Sequence, residues 1–374
     1  MPPISLMIKP SSGMCNLRCR YCFYHDLTKQ NVLEPRRFMT EETLEQVLRK
    51  TLEAAEGECT IAYQGGEPTL IGLEFYQKSV ELQCKYNKKN VKIYNALQTN
   101  GVGLNSKWAE FFSEHRFLVG LSLDGTSETH DAYRRDAAGR GTFEQVLKTA
   151  KLFDRYGVDY NILTVVHAQT AGHAEEIYRF YQQNGFRYLQ FIPCLDPLGE
   201  VQGNRKYSLT ANAYGAFLKT LFDLWYRDLR TDRAVSIREF DNYIQMLLGY
   251  PPESCSMGGR CSTQYVVESD GSVYPCDFYV LEQYRLGSLR RNSFEELDRR
   301  REALGFLDEA KEPDQRCRTC RYYSLCRGGC KRYREPFQNG SYQRNVFCEA
   351  YREFFSYAAA RMLGLARQLA GVVR

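Results

Sequence analysis

No stretch of this 374-residue chain is long and apolar enough to cross a bilayer. A secretory leader is also missing. Ile4 to Ile8 is a short apolar run closed at once by Lys9-Pro10, without a basic leader or a cleavage site. No dense Lys/Arg run accompanies the formal net charge of +5, so charge gives no argument for a nucleic-acid partner. The 27 tyrosines are spread along the chain and form no basic, aromatic stacking platform. No internal repeat of fixed period is present. These absences leave a cytoplasmic protein with no membrane and no nucleic acid among its expected partners. Charged residues at 25% and hydrophobic ones at 43% fit a globular chain of two or three domains. In a reducing cytosol clustered cysteines bind metal more often than they pair. There the Asn339-Gly340-Ser341 sequon carries no meaning.

What is there is cysteine, and 11 of the 14 fall into two blocks. The first is Cys15, Cys19 and Cys22, a C-x3-C-x2-C run with three thiolates and no fourth. A closed zinc site needs four ligands, and a cubane iron–sulfur cluster needs one for each iron. Three leave one iron open beside an aromatic, Tyr21. The bland alternative is a partial zinc knuckle completed by His25, but zinc ligands usually come in C-x2-C pairs. In its cysteine run the chain resembles a radical S-adenosylmethionine enzyme.

The first half alternates strand-like and helical patterns. Ser5–Lys9, Thr60–Gln64, Val91–Thr99, Phe117–Leu123, Val158–Val166 and Tyr188–Pro193 read as strands. Helices are predicted over Glu41–Glu56, Leu73–Tyr86, Lys107–Ser113, Phe143–Tyr156 and Ala174–Asn184. This alternation implies parallel, right-handed β-α units. Six of them predict an α/β fold, a partial (β/α)6 barrel, with its chemistry in the loops after the strands. The cysteine loop, Gly65-Gly66-Glu67-Pro68, Thr99-Asn100-Gly101, Ser122 to Gly125 and Cys194-Leu195 all fall in such loops. After the Asp196–Leu209 loop comes a long helix, Thr210–Arg230, whose Leu221, Phe222, Leu224 and Trp225 read as core. Ser269-Asp270-Gly271 between two short strands signals a hairpin. Helices near Ser293–Ala303 and over Tyr351–Leu369 complete the pattern. Domains are expected at 1–235 (barrel and connecting helix), 236–348 (cysteine-rich) and 349–374 (C-terminal helix).

The resemblance implies S-adenosyl-L-methionine as cofactor. Gly66 matches the motif that meets the methionine amino group. Ser122 and Arg134 would meet the carboxylate, and Leu195 and Tyr21 the adenine. By themselves the Gly pairs read as turns, and Arg134 as a surface ion pair beside Arg135 and Asp136.

The second block is Cys255, Cys261, Cys276, Cys317, Cys320, Cys326, Cys330 and Cys348. Its C-x9-G-x4-C and C-x2-C-x5-C-x3-C spacings are similar to the SPASM domain, an auxiliary-cluster module of peptide-modifying radical enzymes. Eight thiolates fill two cubanes, although they would also fill two zinc sites. The resemblance implies Cys255, Cys261, Cys276 and Cys330 on one cluster and Cys317, Cys320, Cys326 and Cys348 on the other. With the first block this makes three 4Fe-4S clusters. Of the remaining three, Cys59 and Cys84 read as core residues, and Cys194 lies at the barrel mouth.

The stretch from Gln264 to Tyr279, taken with the Cys15 block and Tyr24, closely resembles the anaerobic sulfatase-maturating enzymes. That family oxidises a cysteine or serine of a sulfatase to Cα-formylglycine. The implied partners are an unfolded or nascent sulfatase polypeptide and an electron donor such as flavodoxin or ferredoxin. The resemblance gives Asp277 the role of base, next to an auxiliary-cluster ligand that takes the second electron. Without it, Asp277 reads as a solvated loop carboxylate. Two rivals remain open. One is a SPASM maturase that crosslinks a ribosomal peptide, although a barrel strand starting at Ser5 gives no room for the peptide-recognition domain such enzymes often carry. The other is a non-catalytic zinc module. Three cubanes predict about twelve irons per chain. Metal analysis after anaerobic purification checks this, and near-stoichiometric zinc with little iron refutes it.

Overall fold

The computed structural model describes residues 3–24, 38–308, 314–336 and 343–372. Its strands are β1 (Ile4–Ile8), β2 (Glu58–Tyr63), β3 (Lys92–Thr99), β4 (Leu118–Ser122), β5 (Tyr160–Val166), β6 (Tyr188–Pro193), β7 (Ser236–Ile237), β8 (Tyr265–Val267), β9 (Ser272–Tyr274) and β10 (Gly287–Ser288). Contacts divide the chain into two units. The first holds residues up to Ser122, Arg134–Tyr160 and Thr263–Phe306; the second holds Leu123–Tyr133, Asn161–Ser262 and the chain from Leu307 on.

In the first unit the strands run in the order β10-β9-β8-β1-β2-β3-β4. β1 to β4 are parallel neighbours, as β-α units require. Ile4, Leu6 and Ile8 of β1 and Cys59, Ile61 and Tyr63 of β2 alternate into the core. The helix Glu41–Ala54 starts at Thr40, whose hydroxyl accepts the N–H of Thr43. It buries Leu44, Val47, Leu48, Thr51 and Leu52, one stripe at helical spacing. The hairpin forms where Ser269-Asp270-Gly271 signals it: the Asp270 carboxylate accepts the Ser272 N–H and hydroxyl, both at 2.8 Å. Its first strand, β8, lies parallel to β1, with Ile8 opposite Val267. The stretch from β8 to β10, inside the cysteine-rich region, is thereby an extension of the first sheet.

In the second unit β5, β6 and β7 are parallel. The helix Ala211–Asp228 buries the expected Leu221, Phe222, Leu224 and Trp225. The C-terminal helix begins earlier than its apolar pattern, at Cys348, and runs to Val372. Its Phe354 ring lies 5.8 Å from Phe222 and 5.7 Å from Phe240. Among the described residues two helices of seven residues or more lie outside the sequence-based pattern. Ser127–Tyr133 buries only Thr129 and His130, so it shows no apolar stripe. Arg238–Leu247 includes Asn242 on its buried face, which breaks the stripe. Cys59 is core as expected, whereas Cys84 is exposed on its helix. No helix among the described residues is long and apolar enough to cross a membrane. Phe354→Ala is expected to destabilise the fold by roughly 3–5 kcal/mol, because it removes a fully buried ring. Denaturant unfolding of the anaerobic protein measures it.

Candidate functional site

The cysteine loop follows β1 and is stitched to two neighbouring segments. Gly66 N–H donates to Ser12 O at 2.7 Å and Glu67 N–H to Met14 O at 2.8 Å. Arg18 N–H donates to Arg135 O at 2.7 Å, and Leu17 bridges Asp136. A Cβ on Gly66 would lie 2.1 Å from Met14 O. Gly66 is therefore required by the cysteine loop itself, whose backbone presses on it. Cys15 is a partly buried thiol that accepts the Leu17 N–H at 3.3 Å. Burial pushes it up to about 11, and the Glu67 and Cys22 charges add to the rise. Ligation would remove that proton, since iron takes the thiolate.

Glu67 joins this loop to the one after β3. Its fully buried carboxylate accepts the N–H and hydroxyl of Thr69 (3.1 and 2.6 Å), the Thr99 hydroxyl (2.8 Å) and the Asn100 N–H (2.7 Å). Burial raises its pKa, and these donors draw it back. Asn100 in turn donates to Asn16 Oδ1 at 2.8 Å. Arg134 is nearly buried, its guanidinium 5.7 Å from the Tyr21 ring centre. It does not lie on the surface. Ser122 is buried at the end of β4. Leu195, half-buried in the second unit, follows β6. Its loop is held by the buried Asp196, whose carboxylate accepts the N–H of Gly203 and of Asn204 and the Ser208 hydroxyl.

Asp277 is only 7% exposed, which excludes the solvated-loop alternative. Its Oδ2 accepts the Tyr24 hydroxyl and, at 3.2 Å, the Gln64 amide. Lys9 Nζ lies 3.3 Å from its Oδ1 and 2.9 Å from Glu268 Oε1, and stands 4.7 Å over the Tyr24 ring. Burial works to lower the Lys9 pKa, but the two carboxylates overcome it and leave it raised. Burial, then the Asp277 charge, holds the Tyr24 phenol well above its ordinary value.

In the second unit the thiols fall into two neighbourhoods. Cys317, Cys320, Cys326 and Cys348 line one cavity of about 450 Å³. Burial pushes Cys326 up to about 12, and Cys348, Cys317 and Cys320 reinforce the shift. Cys330 lies elsewhere: burial raises it to about 12 together with the charges of Cys255 and Cys261. Gly259, at φ 73°, permits this approach, because a Cβ there would sit 2.2 Å from Arg327 O. Among the described residues no three His, Cys, Asp or Glu side chains converge on a point suited to a single metal ion. A cavity ringed by four thiols fits a cluster.

The chain matches the radical SAM superfamily over residues 10–181 and an iron–sulfur cluster-binding domain over residues 255–321. It is 45% identical to a cysteine-type anaerobic sulfatase-maturating enzyme of Clostridium novyi (strain NT), over 99% of both chains. A serine-type enzyme of Klebsiella pneumoniae is 34% identical, over 99% of this chain and 91% of that one. The chain belongs to the anaerobic sulfatase-maturating enzymes. The structure of native anSMEcpe with bound AdoMet and the Kp18Cys peptide superposes with a TM-score of 0.93 at 45% identity, covering 98% of this chain and 100% of that one.

The fold of this family member is therefore the α/β radical SAM barrel with a SPASM region, and its chemistry uses iron–sulfur clusters and S-adenosylmethionine. Three site residues went unread in the sequence. Lys9 looked like the end of a strand, Gln64 the end of another and Glu268 the edge of a hairpin. Gly66→Ala is expected to shift the cysteine loop and lower 5′-deoxyadenosine formation by roughly 100-fold, as a displacement of about 1 Å can. Deoxyadenosine yield per bound iron measures it.

Proposed function

We propose that this enzyme oxidises a cysteine of a sulfatase polypeptide to Cα-formylglycine. The observation that carries the reading is a buried carboxylate, Asp277, directly after Cys276 and oriented by Lys9, Tyr24 and Gln64. Identity of 45% to a cysteine-type enzyme against 34% to a serine-type one favours a thiol substrate. The bound cluster and S-adenosylmethionine would supply a 5′-deoxyadenosyl radical that takes a hydrogen atom from the substrate Cβ. Asp277 then takes the thiol proton as the second electron departs. Water converts the resulting thioaldehyde to the aldehyde and hydrogen sulfide.

Cys15, Cys19 and Cys22 hold the cluster that leaves one iron open. Tyr21, Gly66, Ser122, Arg134 and Leu195 hold the cofactor. The cavity of Cys317, Cys320, Cys326 and Cys348 supports one auxiliary ligand set. The neighbourhood of Cys330 with Cys255 and Cys261 supports the other, and the family's ligand pattern would add Cys276. Three 4Fe-4S clusters follow. The substrate is an unfolded or nascent sulfatase, and a flavodoxin or ferredoxin delivers the reducing electron. Divisions at 235/236 and 348/349 would separate barrel, auxiliary-cluster region and closing helix by role, although β8 to β10 extend the first sheet and the helix opens with Cys348 itself.

Anaerobic turnover of a cysteine-type sulfatase peptide, followed by mass measurement, tests the reading. The expected result is the mass loss of thiol-to-aldehyde conversion; a crosslink would favour a different maturase. Asp277→Asn is expected to lower formylglycine yield by about 10²–10⁴-fold while 5′-deoxyadenosine still forms. Wild-type yield from that variant removes Asp277 from the base role.

A further inference from the structure

We propose that Lys9, braced by Glu268, is the positioning residue that aims the Asp277 carboxylate. The inference rests on the reading of Asp277 as the base. Lys9 follows β1 directly, and its N–H donates to Val267 O at 2.8 Å. The β1–β8 register thus places its side chain next to Glu268, with no help from Asp277. Asp277 lies beyond β9, so it meets an ammonium already held by another carboxylate. Lys9 is 3% exposed and Glu268 5%. Burying a charge is costly unless it is paired. One carboxylate would suffice for that pairing, and this lysine has two.

A carboxylate offers about four lone-pair positions. Tyr24 and Gln64 occupy Oδ2. Oδ1 is buried and makes no hydrogen bond among the described residues, with only the Lys9 ion pair at 3.3 Å. Oδ1 is therefore the atom with acceptor capacity left for a substrate proton. Lys9 holds it in place from one side, while Tyr24 and Gln64 anchor Oδ2 from the other. Among the described residues only Lys9 meets the carboxylate on the Oδ1 side. Glu268 keeps the ammonium neutralised when Asp277 accepts the proton, so the clamp survives the step it serves.

The test compares Lys9→Met, Lys9→Arg, Glu268→Gln and Asp277→Asn in the iron-loaded, full-length enzyme. Three quantities are read: the dissociation constant for a cysteine-type sulfatase peptide, formylglycine formed per 5′-deoxyadenosine, and the Asp277 rotamer in a crystal of Lys9→Met. The expected result for Lys9→Met is peptide affinity within about twofold of wild type and coupling lowered by roughly 100-fold, as for a misplaced group. The Asp277 carboxylate is expected to rotate about its Oδ2, which Tyr24 and Gln64 still hold, and so to shift Oδ1. Lys9→Arg restores much of the coupling, because the cation remains. Glu268→Gln loosens the ammonium and lowers coupling without lowering peptide affinity, so it carries the test if Lys9→Met does not fold. Wild-type coupling in both Lys9→Met and Glu268→Gln, with Asp277→Asn inactive, overturns the role of Lys9 alone. Loss of iron and peptide affinity together, with no rescue by arginine, overturns it in favour of a purely structural pair. Wild-type coupling in Asp277→Asn overturns the base reading beneath it.

Discussion

The parallel pairing of β1 with β8 is the constraint on which the rest of the first unit depends. Ile8 lies opposite Val267, so the residues just past each strand, Lys9 and Glu268, become neighbours. The hairpin then turns the chain back through β9 and delivers Cys276 and Asp277 to the same end of the sheet. A slip of one residue would turn every side chain of β8 to the opposite face. Lys9 and Asp277 would then lose each other. Backbone register, set far from the chemistry in sequence, thus decides which charges meet.

The cysteine loop shows a second kind of constraint. A loop carrying three thiols has little apolar surface to hold it, and it is fixed mainly by hydrogen bonds to its neighbours. The Gly66 and Glu67 N–H groups bind its carbonyls, and Arg135 O binds its Arg18 N–H. Glu67 serves as a hub: one buried carboxylate satisfies donors from two strand ends and ties the β2 and β3 loops together. A buried charge with this many donors is tolerated because its lone pairs are filled. The loops that would meet the cofactor gain rigidity by the same means.

In the second unit the clustered thiols sit beside a buried aromatic core. Cys317, Cys320 and Cys326 come from one short segment, and Cys348 opens the C-terminal helix. That helix is in turn held by aromatic contacts such as Phe354 with Phe222 and Phe240. Cys330 leaves its sequence neighbours to face Cys255 and Cys261, with Gly259 making room for the turn. The helix that opens with Cys348 thus also buries the aromatic core, so the position of this thiol depends on helix packing.

The α/β class, the positions of the main strands and the two cysteine blocks were legible in the sequence, because periodicity and ligand spacing are local properties. Gly66, Ser122, Arg134 and Asp277 were named by resemblance to a family, since single residues carry no period. Tertiary structure alone decided that Asp277 is buried, that Arg134 stacks near Tyr21, and that Gly66 answers to Met14. It alone exposed Cys84, because a thiol at a helix end gives no sign of which face it occupies. The hidden feature of most consequence was Lys9 with Glu268. Each reads as an ordinary strand-end charge, and their meeting depends on a pairing between strands that no local pattern records. Local chemistry is written along the chain, and the field around a buried charge is written only by what the fold brings beside it.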